Sequence, residues 1–144
     1  DNLAVAADGP FTFATSLETG STYDVTVGTQ PRGPSQVCSV SDGAGRIDGA
    51  NVTNVAVSCE TSSFPINVTV AGLRGFSLRI RNNASDTLLI HSNGIYTFRE
   101  PVLSGATYNV TIDGGPIFPF QTCTVTNGTG TVGDGPVEVA IACQ

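Results

Sequence analysis

The stretch SNGIYTFREPVLSGATYNVTI, residues 92–112, restates with substitutions the stretch ADGPFTFATSLETGSTYDVTV, residues 7–27. Laid on itself at a constant offset of 85, the chain extends this match from Asp1 on Asp86 as far as residue 47 on 132. Leu3 falls on Leu88, Gly9 on Gly94, Phe13 on Phe98, Gly20 on Gly105, Tyr23 on Tyr108 and Cys38 on Cys123; after one dropped residue Cys59 meets Cys143. Turn residues, apolar residues and cysteines coincide together, and an internal repeat of this kind constrains architecture before any single strand is assigned. The reading is two copies of one module, over residues 1–60 and 61–144.

The copies are unequal. Residues 64–85, FPINVTVAGLRGFSLRIRNNAS, have no counterpart ahead of Asp1, and they alternate as two strands, with Ile66, Val68 and Val70 inward on one and Phe76, Leu78 and Ile80 inward on the other. The first copy therefore starts at its third strand. Further along the second copy, DTLLI, IYTF, TYNVTI, QTCTV and VEVAIAC are separated by SNG, SGA, DGGP and NGTG turns. Short strands punctuated by Gly, Pro and Asn predict an all-β fold, with each copy an immunoglobulin-like sandwich of antiparallel sheets and the first lacking its first two strands. Alternation places Tyr108, Val110, Ile112, Cys123, Val125, Val137, Val139, Ile141 and Cys143 inward, and likewise Cys38 with Val40 and Cys59 with Val55 and Val57.

Composition agrees with strands and turns: Met and Trp are absent and Gly numbers 17. The net charge of -6, with arginine as the only strongly basic residue, repels polyphosphate, so no nucleic acid partner is expected. No apolar run is long enough to span a membrane, and Asp1-Asn2 does not open a signal peptide. Four cysteines without metal-ligand spacing read as two disulfides, and equivalent cysteines in a repeat should pair within their own copy, Cys38 with Cys59 and Cys123 with Cys143. Persistent disulfides imply an oxidising place: periplasm, outer cell surface or medium.

The runs at 7–27 and 92–112 look like the "dG-x-F-x-F … L-x-x-G-x-x-Y-x-V-x-V" signature of bacterial prealbumin-like and fibronectin-like sandwich modules. Extended through TQPRGPSQVCSVSDGAGRIDGANVTNVAVSC, the repeat resembles a disulfide-bearing immunoglobulin-like module found in tandem in exported proteins and lipoproteins of Gram-negative bacteria. The resemblance implies a tyrosine corner at Tyr23 and Tyr108, each hydroxyl bonded to nearby backbone. It implies spacer, adhesin or surface-antigen roles alike, and so does not choose among them. Collagen-adhesin modules with a similar signature carry a lysine-to-asparagine isopeptide bond, which a chain without lysine cannot form.

No catalytic constellation is apparent. His91 is the sole histidine, is predicted to face outward, and corresponds to Ala6; no partner for general-base work stands near it in sequence. Asp8, Asp24, Asp42, Asp48 and Asp113 are scattered over turns and strand faces, without the pairing that glycoside cleavage needs. A calcium site at Asp42 and Asp48 or at Asp134 lacks ligand spacing, so no metal and no cofactor is expected. Sequons occur at Asn51, Asn67, Asn83, Asn109 and Asn127, as outward polar strands readily produce. The apolar loop GGPIFPFQ stands out: Ile117, Phe118 and Phe120 occupy positions where the first copy has Arg32, Gly33 and Ser35. It is the expected binding loop or the packing surface between copies.

The expectation is thus a non-catalytic extracellular or cell-surface structural or adhesive module, with a protein or glycan as partner. The alternative is a carbohydrate- or peptide-binding domain using the Phe118/Phe120 loop. Three resolutions of the incomplete first copy stand open: self-association with a second chain, a core shared by both copies with residues 60–63 as the turn, or a longer natural protein.

Overall fold

In VEVAIAC the apolar residues Val137, Val139, Ile141 and Cys143 are buried while Glu138, Ala140 and Ala142 are exposed, the period-two pattern of a strand with one face on a core. The computed structural model, which describes residues 1–144, is built of such segments and contains no helix. In chain order the strands are β1 (Thr22–Asp24), β2 (Gln36–Ser41), β3 (Ala44–Arg46), β4 (Ala56–Thr61), β5 (Ser63–Phe64), β6 (Ile66–Ala71) and β7 (Leu78–Asn82). There follow β8 (Asp86–Ile90), β9 (Gly94–Thr97), β10 (Val102–Leu103), β11 (Thr107–Gly114), β12 (Cys123–Thr126), β13 (Thr129–Thr131) and β14 (Val137–Cys143). With no helix, none is present to cross a membrane.

The chain divides into two compact units, Asp1–Gly28 with Cys38–Ser58, and Thr29–Val37 with Cys59–Gln144. One division falls between Ser58 and Cys59. The segment Thr29–Val37 groups with the second unit, not the first. Its hydrogen bonds say why: Ser35 N–H donates to Ser104 Oγ (2.8 Å), Ser62 N–H donates to Ser35 O (2.9 Å), and Gln36 Nε2 donates to Thr61 Oγ1 (3.2 Å).

The second unit is a β-sandwich. One sheet runs β13-β11-β7-β8 and the other β12-β14-β6-β9. All pairings are antiparallel except β6 with β14, where Val137 lies opposite Ile66 and Ile141 opposite Val70. Between the sheets, Ile66, Val68, Val70, Leu78, Ile80, Ile90, Phe98, Tyr108, Val110, Val139 and Ile141 form one core cluster. The predicted inward residues of this half are buried or packed against that core, with one exception. Phe76, expected inward with Leu78 and Ile80, is exposed. Ser77, at φ 65, interrupts the extended backbone and turns the preceding side chain outward. The buried polar groups are satisfied: Asn82 Oδ1 accepts from Asn109 N–H (3.0 Å), and Ser104 Oγ donates to Gly133 O (2.8 Å).

The first unit repeats the local geometry of the second without its core. Gly20 N–H donates to Ile47 O as Gly105 N–H does to Val132 O, both at 2.8 Å. Val25 N–H donates to Gly43 O (2.7 Å) as Val110 N–H does to Gly128 O (2.6 Å), and Asp1 accepts from Thr15 N–H as Asp86 does from Glu100 N–H. Asp42 and Asn127 have φ 53 and 56, and Gly9 and Gly94 have φ 143 and 153. Yet residues 1–5 and 9–12, whose counterparts lie in β8 and β9, form no strand. A strand exists only as part of a ladder; β8 pairs with β7 and β9 with β6, and this unit has no such neighbours. Cys38 is buried as expected, but most of the expected burial fails for the same reason. Val57 is 55% exposed where Ile141 is 1%, Phe13 is 40% exposed where Phe98 is 3%, and Cys59 lies on an exposed stretch of β4.

All four cysteines are disulfide-bonded. The bridge between Cys123 and Cys143 joins residues directly opposite on β12 and β14. Two disulfides suit an oxidising environment. Tyr108 departs from the expected corner: its hydroxyl meets the side-chain Oδ1 of Asn127 at 3.1 Å and not a backbone group.

Candidate contact surface

The loop after β11 carries the most exposed aromatic residues of the chain. Asp113 sits at a bulge between Ile112 and Gly114, where its carboxylate is bound by Arg79 Nε (2.7 Å) and by Arg81, both on the adjacent β7. A bulge re-aims the strand that contains it. From this pinned base the chain runs through buried Pro116 to Ile117, whose backbone exchanges two hydrogen bonds with Phe76 (2.8 and 2.9 Å).

Gln121 closes the far side. Its Oε1 accepts from Arg74 N–H (2.7 Å) and Gly75 N–H (3.0 Å), and its Nε2 donates to Gly72 O (2.9 Å). One amide side chain thus satisfies three backbone groups of the 72–75 loop, which would otherwise depend on water. Gly75 is required here for space: a Cβ would stand 2.5 Å from Pro119 O and 2.8 Å from Ile117 O. Gln121→Ala is expected to cost about 1–3 kcal/mol, through backbone donors left unpaired, and to release both loops together. Chemical denaturation and the exchange rates of the Arg74 and Gly75 amides check this.

Held in this way, Phe118 is 73% and Phe120 80% exposed, with ring centroids 6.1 Å apart and planes inclined by 38°. Ile117 is 38% exposed, and Phe76 adds a third open ring on the neighbouring loop. The structure brings the expected loop residues together and adds Phe76, which strand alternation had assigned to the core. The turn residues around it, Gly72, Gly75 and Ser77, were the signal against that assignment.

Phe118 has φ 52, in the left-handed region. Its counterpart 85 residues earlier is Gly33, at φ 74. Glycine takes this conformation freely, whereas a bulky residue held there costs of order 1 kcal/mol or more. The loop thus keeps its backbone path and displays a phenyl ring at a position where the ring opposes the backbone conformation.

The other candidate residues are not assembled into a site. His91 is exposed, as expected. Asp42, Asp48 and Asp134 belong to no group of three or more metal-ligating side chains. Three sequon asparagines have structural work: Asn67 donates to Glu138 Oε1 (2.7 Å) and accepts from Thr97 Oγ1 (2.8 Å), Asn83 donates to Thr107 O (3.0 Å), and Asn127 donates to Glu138 O (2.7 Å). Comparison of the chain with protein-family models, with curated proteins and with solved structures finds no significant match.

Proposed function

We propose that the chain is a non-catalytic module of the cell surface or extracellular space, made of two copies of one immunoglobulin-like unit, that makes structural or adhesive contacts through Ile117, Phe118 and Phe120. The resemblance to tandem modules of exported Gram-negative proteins belongs to this proposal. The observation that supports it most is the pairing of Phe118 with Gly33: an exposed phenyl ring replaces glycine at a backbone conformation that favours glycine. Strain of this kind persists where something other than stability maintains it, and open aromatic rings on anchored loops are contact groups. A carbohydrate- or peptide-binding domain using the same loop is the second reading, favoured by the two inclined rings, which offer neighbouring apolar faces to a flat ligand.

Phe118→Gly separates contact from folding. The variant should be at least as stable as the parent, by up to about 1 kcal/mol, because relief of the left-handed strain offsets the added freedom of the unfolded chain. Together with Phe120→Ser it should abolish capture by whichever immobilised matrix proteins or glycans bind the parent chain. A glycan array and a panel of matrix proteins supply the readout. Binding that survives both substitutions contradicts the assignment, and the chemical class of the positive spots distinguishes the adhesive from the carbohydrate reading.

A further inference from the structure

Three loops meet at one end of the sandwich in the second unit: residues 72–77 between β6 and β7, 91–93 between β8 and β9, and 115–122 between β11 and β12. Gln121 and the Phe76 to Ile117 pair tie the first loop to the third. Asn93 ties it to the second, accepting from Leu73 N–H (2.7 Å) and donating to Leu73 O (3.1 Å). Phe76, Ile117, Phe118 and Phe120 are exposed at this tip. Exposed Arg74 and His91 are the only ionisable side chains of the three loops, and no carboxylate side chain is among them. Just behind the tip, Arg79 and Arg81 share the single carboxylate of Asp113, which leaves a net positive charge. The other acidic side chains of this unit stand toward the opposite end. Asp86 and Glu138 lie at the starts of β8 and β14, strands that reach the tip with Ile90 and Cys143, and Glu100 N–H donates to Asp86. Glu60 and Asp134 are close to Ser62 and Gly133, which Ser104 holds ahead of β11. The length of a strand, about 15–20 Å, separates these acids from the tip, against a screening length of about 8 Å at physiological salt. A surface that meets the tip therefore meets positive charge, although the chain as a whole carries -6.

We propose, resting on the contact reading of the Phe118 loop, that this tip docks on an anionic lipid bilayer, with the rings entering the boundary between headgroups and acyl chains and Arg74 facing lipid phosphate. Charge selects that partner: an acid-free, net positive tip on an acidic chain complements a negative surface and turns the acidic end away from it. The hydrogen-bonding inventory selects it too. The two amide side chains of the tip are spent on its own backbone, Asn93 on Leu73 and Gln121 on residues 72–75. Ser92 Oγ is engaged with the Tyr96 hydroxyl (3.0 Å). No amide is left beside the rings to read the hydroxyls of a sugar or the backbone of a peptide. A bilayer interface needs no directional hydrogen bonds; it takes up apolar area and neighbouring positive charge, which this tip offers. The loops are already pinned, so little ordering opposes docking.

Sedimentation of the full oxidised chain with vesicles tests this. Vesicles of phosphatidylcholine containing about one-third phosphatidylglycerol should bind it at least about tenfold more tightly than phosphatidylcholine alone, at about 0.1 M salt. Arg74→Ser should weaken binding to the anionic vesicles by about fivefold. Phe118→Gly with Phe120→Ser should weaken it by at least about tenfold, with an unchanged circular dichroism spectrum. The chain has no Trp, so Phe120→Trp supplies a single reporter. Its emission should move to shorter wavelength on the anionic vesicles and be quenched by lipids brominated in the acyl chain. The proposal is overturned if the anionic vesicles are not bound, if neutral vesicles bind as tightly, or if Arg74→Ser changes nothing. Should vesicles fail to bind while Phe118→Gly with Phe120→Ser abolishes capture by a matrix protein or glycan, the bilayer is excluded as partner and the contact reading stands. Vesicle binding indifferent to those two substitutions overturns both.

Discussion

Ile141→Ala is expected to cost about 2–5 kcal/mol, while Val57→Ala, at the equivalent position of the first unit, costs less than about 0.5 kcal/mol. Ile141 is 1% exposed, sits in the core cluster, and lies opposite Val70 on β6 and Val125 on β12. Removing its outer carbons leaves a cavity that strands fixed by two ladders cannot fill. Val57 is 55% exposed, and its methyl groups lose little on truncation. The two substitutions are close in chemistry and stand at matching places of the proposed repeat, so the contrast reports packing alone. A urea titration followed by circular dichroism should show the first midpoint fall by about 1–2 M or more and the second stay in place. Equal shifts would mean that the first unit has a closed core.

The Cys123 to Cys143 bridge should carry the second large effect. It spans 20 residues of sequence, for which loop closure removes about 3 kcal/mol of unfolded-state entropy, and loss of a native bridge from a small secreted domain costs about 2–5 kcal/mol. Cys143 is buried, so the Cys123→Ser, Cys143→Ser double variant also encloses a hydroxyl among apolar neighbours. The double variant should lose stability in that range and retain its sheet register, which the remaining β12 to β14 pairs Thr124 with Ala142 and Val125 with Ile141 still define. A loss below about 1 kcal/mol would show that the bridge constrains little that the ladder does not already hold.

The second unit was legible residue by residue because its strands obey alternation and its turns carry Gly, Pro and Asn. Every inward residue assigned to β6, β11, β12 and β14 is buried or packed on the core. The first unit shows the limit of the same reasoning. LAV at 3–5 and PFT at 10–12 match LLI at 88–90 and IYT at 95–97 in pattern, but period two describes a face that could be buried and does not supply the neighbour that buries it. Phe76 failed for a local reason, the positive φ of Ser77. The apolar loop was visible as a difference between the copies. Its anchoring by Gln121 was not, since three hydrogen bonds to residues 72–75 cross more than 40 positions of sequence and leave no periodic trace.

The central proposal is that one repeat occurs twice, closed around a core in the second unit and open in the first. Native-state amide exchange on the oxidised chain tests it most directly, through two matched hydrogen bonds. Val110 N–H donates to Gly128 O at 2.6 Å above a packed core, and Val25 N–H donates to Gly43 O at 2.7 Å beneath an open face. Since buried strands exchange only by global opening and exposed ones by local fraying, the Val110 amide should be protected at least about a hundredfold more than that of Val25. Comparable protection at the two positions would contradict the account.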